Sequence, residues 1–130
     1  MISTLKAAIC SDDPLSEEAF EFFLNYREED TQIDCKESFH IEEEREWLEI
    51  TKDILGFANS NGGILLFGLR NGTFEQIGLD SQVSLVLGDS NNIIQKINRF
   101  VDPPISLLRC KPYLRDNKIF VAMYIPPSLV

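Results

Sequence analysis

The apolar positions of this chain follow two different rhythms. Leu15, Ala19, Phe22, Phe23 and Tyr26 recur at helical intervals, with Glu17, Glu18 and Glu21 mostly outside the stripe, the pattern of an amphipathic helix. Asp13-Pro14 predicts its start, an N-cap acid followed by proline at the first helical position. The polar cluster Arg27-Glu28-Glu29-Asp30 ends it. Residues 31–37 then alternate, with Ile33 and Cys35 on one face and Asp34 and Lys36 on the other, which predicts a half-buried strand. From 42 to 60 the helical rhythm returns through Trp47, Ile50, Ile54, Leu55, Phe57 and Ala58. Glu42, Glu43, Glu44 and Glu46 crowd its first turns, where the helix dipole favours negative charge. Asn61-Gly62-Gly63 stops that helix, because glycine adopts the left-handed conformation at little cost. The unbroken apolar run Ile64 to Leu69 follows and predicts a strand buried on both faces.

Asn71-Gly72 is a hairpin signal and predicts a return through Thr73–Ile77. Residues 78–88 are ambiguous. Asp89 or Ser90 can cap a helix over about 91–101, with Ile93, Ile94, Ile97, Phe100 and Val101 inward, and Asp102-Pro103-Pro104 stops it. Residues 105–111 and 118–125 read as a hairpin around Arg115-Asp116-Asn117. In its second strand Ile119, Val121, Met123 and Ile125 line one face and Phe120, Ala122 and Tyr124 the other. The element order predicts an α+β (mixed α/β) domain: a single twisted mixed sheet with helices packed against it. Residues 1–12 read as an N-terminal arm or short helix, and 13–130 as one domain without repeats or a linker.

Composition narrows the functional classes. The apolar content of 44% is that of a globular chain. No apolar run approaches the ~18–20 residues of a membrane span, and no basic-then-apolar leader is visible, so a cytoplasmic location and no membrane partner are expected. Cys10, Cys35 and Cys110 are dispersed and the only histidine is His40, which is not the pattern of a structural zinc site. The net charge of −9 is uneven: residues 12–49 hold fifteen acids against three bases, and residues 50–130 hold six acids against eight bases. A strong non-specific nucleic-acid binder needs a basic footprint, and only the second part leaves room for one.

Three constellations carry candidate chemistry. Asn61-Gly62-Gly63 follows a helix C-terminus, where the dipole is negative, which favours a helix stop over a phosphate cradle. Glu29 and Asp34 lie at the entrance and on the polar face of the 31–37 strand, with Glu37 nearby. Converging carboxylates are what a divalent cation requires, and Lys36 beside them can steady a phosphate; equally, Asp34 and Lys36 can be a solvated ion pair. The bases Lys36, Arg70, Lys96, Arg99, Arg109, Lys111, Arg115 and Lys118 can form a modest positive surface, with Arg70 on an exposed tip suited to a phosphate contact. A serine-nucleophile triad fails, since His40 lies in a polar connection and no G-x-S-x-G occurs.

Two blocks are familiar. Glu29-Asp-Thr-Gln-Ile-Asp-Cys-Lys-Glu-Ser resembles the "E-x-x-x-(aliphatic)-E-F-K-E-S" opening of the Schlafen AlbA_2 domain family. Ile50-Thr-Lys-Asp-Ile-Leu-Gly-Phe-Ala-Asn-Ser-Asn-Gly-Gly-Ile-Leu-Leu-Phe-Gly-Leu resembles its "A-F-A-N-T-x-G-G-x-aliphatic-aliphatic-x-G-V" centre. The likeness spans about residues 28–80, with weaker continuity to about 126. It implies a nucleic-acid-binding domain, for DNA or RNA. Some Schlafen members are metal-dependent endoribonucleases using three acids, two in the opening motif and an aspartate near the turn after the glycine-flanked strand.

Carried over, the first two acids fall on Glu29 and Asp34 and the third near Asn71, a neutral ligand weaker for a hard cation than a carboxylate. Asp34 stands where glutamate is usual and Cys35 where phenylalanine is usual. The family's closing "R-x-G" segment is not found before the chain stops, so a fragment or an absent last element is expected, with an exposed sheet edge inviting a homodimer. Three functions follow as expectations. The first is a regulatory nucleic-acid-binding module using Lys36, Arg70, Lys96 and Arg99. The second is a Mg²⁺- or Mn²⁺-dependent endoribonuclease using Glu29, Asp34 and Lys36, with Asn71 as a third metal ligand. The third is a protein-interaction or dimerisation domain. The substitution at Asn71 argues against catalysis.

Overall fold

The computed structural model describes residues 2–28 and 30–127. Its elements run α1 (Leu5–Ile9), α2 (Glu17–Tyr26), β1 (Ile33–Lys36), α3 (Glu44–Ala58), β2 (Gly63–Phe67), α4 (Ser81–Leu87), α5 (Ser90–Ile97), β3 (Arg109–Arg115) and β4 (Lys118–Ile125). The expected α+β class holds. One four-stranded sheet has the order β1-β2-β4-β3, with β1 parallel to β2 and the other pairs antiparallel. Alternation along the strands gives the sheet two cores. Ile33, Cys35, Ile64, Leu66, Tyr113, Phe120 and Ala122 face α1 and α2. Leu65, Phe67, Val121, Met123 and Ile125 face the layer formed by α3, α4 and α5. No described helix is long and apolar enough to cross a membrane.

The strongest sequence signals are local, and they hold. In α3 the positions Trp47, Ile50, Ile54, Phe57 and Ala58 are buried. The Gly62 N–H closes the helix end on the Phe57 carbonyl at 2.9 Å, with Gly62 at φ +75°, as expected for a glycine stop. Gly63 then starts β2 with its α-carbon against the Phe57 ring; a Cβ there would lie 2.2 Å from that ring. All five residues of β2 are buried.

Five expectations need correction. The helix expected over about 91–101 ends at Ile97, with Asn98 as its C-cap, so Phe100 and Val101 lie beyond it. α2 begins at Glu17, not beside Pro14: Asp13 accepts the Leu15 N–H in a local turn, and Ser16 takes the cap by accepting from Ala19. Its buried positions are Ala19, Phe20, Phe23 and Leu24, so the inward face is rotated by one residue and Phe22 and Tyr26 lie at its margin. The Thr73–Ile77 return is a loop with one bridge, Leu69 to Gln76, because Arg70 and Glu75 bracket four residues and both Gly72 and Phe74 take positive φ. β3 occupies 109–115, not 105–111. It runs through Pro112, as an edge strand permits when the missing N–H points outward.

That outward edge is closed. The Cys110 N–H and carbonyl turn away from β4 and meet the Ser90 hydroxyl at 2.8 and 3.3 Å. By alternation the same side carries Pro112, with no N–H, and Leu114, whose carbonyl accepts from Arg115. An unprotected template for another strand is therefore not presented there. Residues 1–12, read as an arm or short helix, contain α1, which inserts Leu5, Ala8 and Ile9 into the first core.

Candidate functional site

A groove of about 510 Å³ runs beside β1, between α3 and the 70–75 turn. Asp34, Asp53 and Asn71 line it, together with Glu28, Lys52 and Phe74. The pleat aims Asp34 and Lys36 of β1 at the α3 side, and there Lys36 finds a partner that the sequence did not signal. Its Nζ lies 2.9 Å from Asp53 of α3 and 3.4 Å from Asp34. Burial acts to lower the Lys36 ammonium, but the hydrogen bond and charge of Asp53, then of Asp34, more than offset it and hold it above the usual lysine value.

Asp34 is committed on both oxygens. Oδ2 faces Lys36, and Oδ1 accepts the Cys35 N–H at 3.0 Å. Because Gln32 and Lys36 accept from β2 through their carbonyls, the Cys35 N–H faces the outer edge of β1. Asp34 thus satisfies an edge donor that has no strand beside it. Burial, helped by the Asp34 charge, pushes the Cys35 thiol up to about 11, which leaves it inert as a nucleophile near neutrality.

Arg70 stands next to this corner and is equally engaged. Its Nε meets Glu37 at 3.2 Å and its Nη1 meets Glu75 at 3.0 Å. The structure therefore gathers Asp34, Lys36, Arg70 and Asn71 around the ends of β1 and β2, while Lys96 and Arg99 sit elsewhere, on and just after α5. Lys96 lies 5.8 Å from the Trp47 ring and Arg99 lies 5.6 Å from that of Phe100. Glu29 lies outside the described residues. Of the remaining bases, Arg115 pairs with Glu17 and Glu21 and Lys118 donates to the Gln76 carbonyl. Arg109 and Lys111 lie over the rings of Tyr124 and Tyr113.

Among the described residues no group of three His, Cys, Asp or Glu side chains is placed to hold a metal. Asp34 already accepts from an amide and an ammonium, Asp53 is paired with the same ammonium, and Asn71 is neutral. These three described residues leave few uncommitted oxygens for a hard cation, which calls for several. Cys10, Cys35 and Cys110 are free thiols.

The molecule is thus an open mixed-sheet domain in which a parallel β1–α3–β2 unit carries a braced, charged corner beside a groove. The family is specific: the sequence profile described as Schlafen, AlbA_2 matches residues 29–129, and the chain belongs to that family. Two of the solved structures that share the fold are the following. The DIP2311 protein of Corynebacterium diphtheriae superposes with a TM-score of 0.57 at 16% identity, over 85% of this chain and 22% of that one. The N-terminal domain of a protein from Nitrosomonas europaea, named as related to the ATP-dependent DNA helicase RecG, superposes with a TM-score of 0.52 at 14% identity, over 97% of this chain and 74% of that one. At these identities the likeness is one of fold. This chain spans about a fifth of the DIP2311 protein's length, 22%. No curated protein matches it.

Proposed function

We propose that this chain is a nucleic-acid-binding domain of the Schlafen AlbA_2 type that works as a regulatory module, by contact and without a metal. Family membership supports the reading, as does the fold shared with a domain named for a DNA helicase relative. The observation that carries it is the division among the bases. Lys36, Arg70 and Arg115 are each held by two carboxylates. Lys96, Arg99, Arg109 and Lys111 have no carboxylate within salt-bridge distance among the described residues; nor have Lys118 and Arg27, but these donate to the carbonyls of Gln76 and Thr73. A phosphate backbone is drawn to cations that are not already neutralised. Lys36 and Arg70 then brace the corner, and the other four meet the ligand.

Two titrations test this. Filter binding of the protein to DNA and to RNA at low salt gives measurable affinity that falls steeply as salt rises; no affinity for either removes the reading. Incubation with transfer RNA and Mn²⁺, beside a Glu29→Ala variant, gives no cleavage that depends on Glu29. Cleavage by the parent protein alone would restore a metal-dependent ribonuclease.

A further inference from the structure

β3 alternates its side chains, so Arg109, Lys111, Tyr113 and Arg115 share one face of the edge strand. That face is a ladder of cations over rings: Arg109 lies 5.5 Å from the centre of Tyr124, Lys111 5.4 Å from Tyr113, and Arg115 5.0 Å from Phe20. Beneath the ladder Tyr113 stacks on Phe20 at 3.8 Å and is fixed by its hydroxyl on the Leu15 carbonyl. At one end Arg115 is neutralised by Glu17 and Glu21. At the other, Arg109 and Lys111 are exposed and no described carboxylate is within salt-bridge distance of them. Tyr124 beneath Arg109 is half-buried.

Two residues along a strand advance about 7 Å, so these two cations form a row whose repeat is of the order of successive phosphates in an extended nucleic acid strand. Seating on a ring keeps each head near the sheet instead of loose in solvent. A guanidinium on an aromatic ring also offers its outer plane to an unstacked base, and duplex bases are already stacked on one another. We propose that Arg109 and Lys111 on β3 form the contact surface for a single-stranded nucleic acid, Lys111 and Arg109 meeting successive phosphates and the Arg109–Tyr124 pair acting as a platform for one base. This rests on the nucleic-acid-binding reading and gives it a surface and a ligand form.

Fluorescence anisotropy tests it, with a labelled oligothymidylate, an oligouridylate of equal length and a duplex, titrated between about 50 and 200 mM salt. The proteins are the parent chain, Arg109→Ala/Lys111→Ala, Arg109→Lys and Lys96→Ala/Arg99→Ala. Thermal unfolding confirms that each variant folds, as solvent-facing substitutions should. The parent binds the single strands more tightly than the duplex. Arg109→Ala/Lys111→Ala binds them at least tenfold more weakly at low salt, and its log K against log salt slope is shallower by about 1.4, or ~0.7 for each lost phosphate contact. Arg109→Lys retains the parent slope and loses affinity several-fold, because the ammonium cannot stack as a guanidinium does. An unchanged slope in Arg109→Ala/Lys111→Ala, or the whole loss appearing in Lys96→Ala/Arg99→Ala, overturns this surface and leaves nucleic-acid binding standing. A parent preference for duplex overturns the single-strand form. Failure of the parent to bind any of the three overturns the proposed function and this surface with it.

Discussion

The Ser90 hydroxyl accepts the Cys110 N–H at 2.8 Å and lies 3.3 Å from the Cys110 carbonyl, to which it donates. One side chain at the first turn of α5 therefore stands in for a neighbouring strand along the free side of β3. Ser90→Ala leaves both backbone groups without that partner and should lower stability by about 1–3 kcal/mol. It should also raise self-association, because the freed edge can template a second strand. Urea unfolding and light scattering at matched concentration check the two effects. Equal scattering from both proteins would remove the edge-protection argument.

Tyr113 ties β3 to the segment before α2: its hydroxyl donates to the Leu15 carbonyl at 2.5 Å in a buried setting. Tyr113→Phe keeps the ring stack on Phe20 and removes only that bond. A loss of about 1–2 kcal/mol is expected in chemical denaturation, the cost of leaving a buried carbonyl without its donor.

Two glycines separated by one helix end should respond in opposite directions. Gly56 is exposed on α3, and a Cβ there meets nothing within 4 Å. Gly56→Ala should stabilise by about 0.5–1 kcal/mol through helix propensity. At Gly63 the added Cβ would lie 2.2 Å from the Phe57 ring and 2.9 Å from the Gln32 carbonyl oxygen. Gly63→Ala should cost about 3 kcal/mol or fail to fold, since backbone on one side cannot yield. Melting temperatures of the two variants on either side of the parent value are the expected outcome.

His40 titrates above its ordinary value, chiefly through the hydrogen bond to Glu46 at 2.9 Å and then through the charge of Glu43. A raised folded-state pKa means that the imidazolium's contribution to stability is fully present below the unfolded value of 6.5. It is lost as pH climbs through the folded value. NMR titration of the single histidine should give a midpoint above 6.5, and Glu46→Gln should bring it down. A midpoint unmoved by Glu46→Gln would show that the pair does not hold in solution.

Thiol reactivity should divide the three cysteines. Burial pushes Cys35 up to about 11 and Cys110 up to about 12, whereas Cys10 is exposed. A chromogenic disulfide reagent at mildly alkaline pH should therefore titrate one thiol rapidly and the other two only after denaturation. Three fast thiols would contradict the packing around β1 and β3.

Features encoded by neighbours in sequence were legible, and those encoded by distant partners were not. The α3–glycine–β2 unit could be read because its stripe, its stop and its apolar run are contiguous. The start of α2 misled because Asp13 and Ser16 are both competent caps, and the turn that Asp13 forms leaves the cap to Ser16. β3 was displaced because Pro112 reads as a strand end unless the strand lies at an edge, which only the sheet order reveals. At the corner, Asp34 and Lys36 were legible as neighbours on one strand face. Asp53 was not, since it looks like any acid on the polar side of α3 until that helix is laid across the sheet. Lys36 and Arg70 likewise read as available cations, because their carboxylate partners Asp53, Glu37 and Glu75 are gathered by the fold.

Strands β2 and β4 each supply side chains to both cores, the one against α1 and α2 and the other against α3, α4 and α5. Neither helical layer can detach without exposing strands on which the other also rests. The amides of Ile64 to Phe67 should exchange with deuterium only when the entire domain unfolds, at a rate that reports its global stability. Because the two faces share one backbone, a ligand that stabilises either face should slow exchange at the same strand amides.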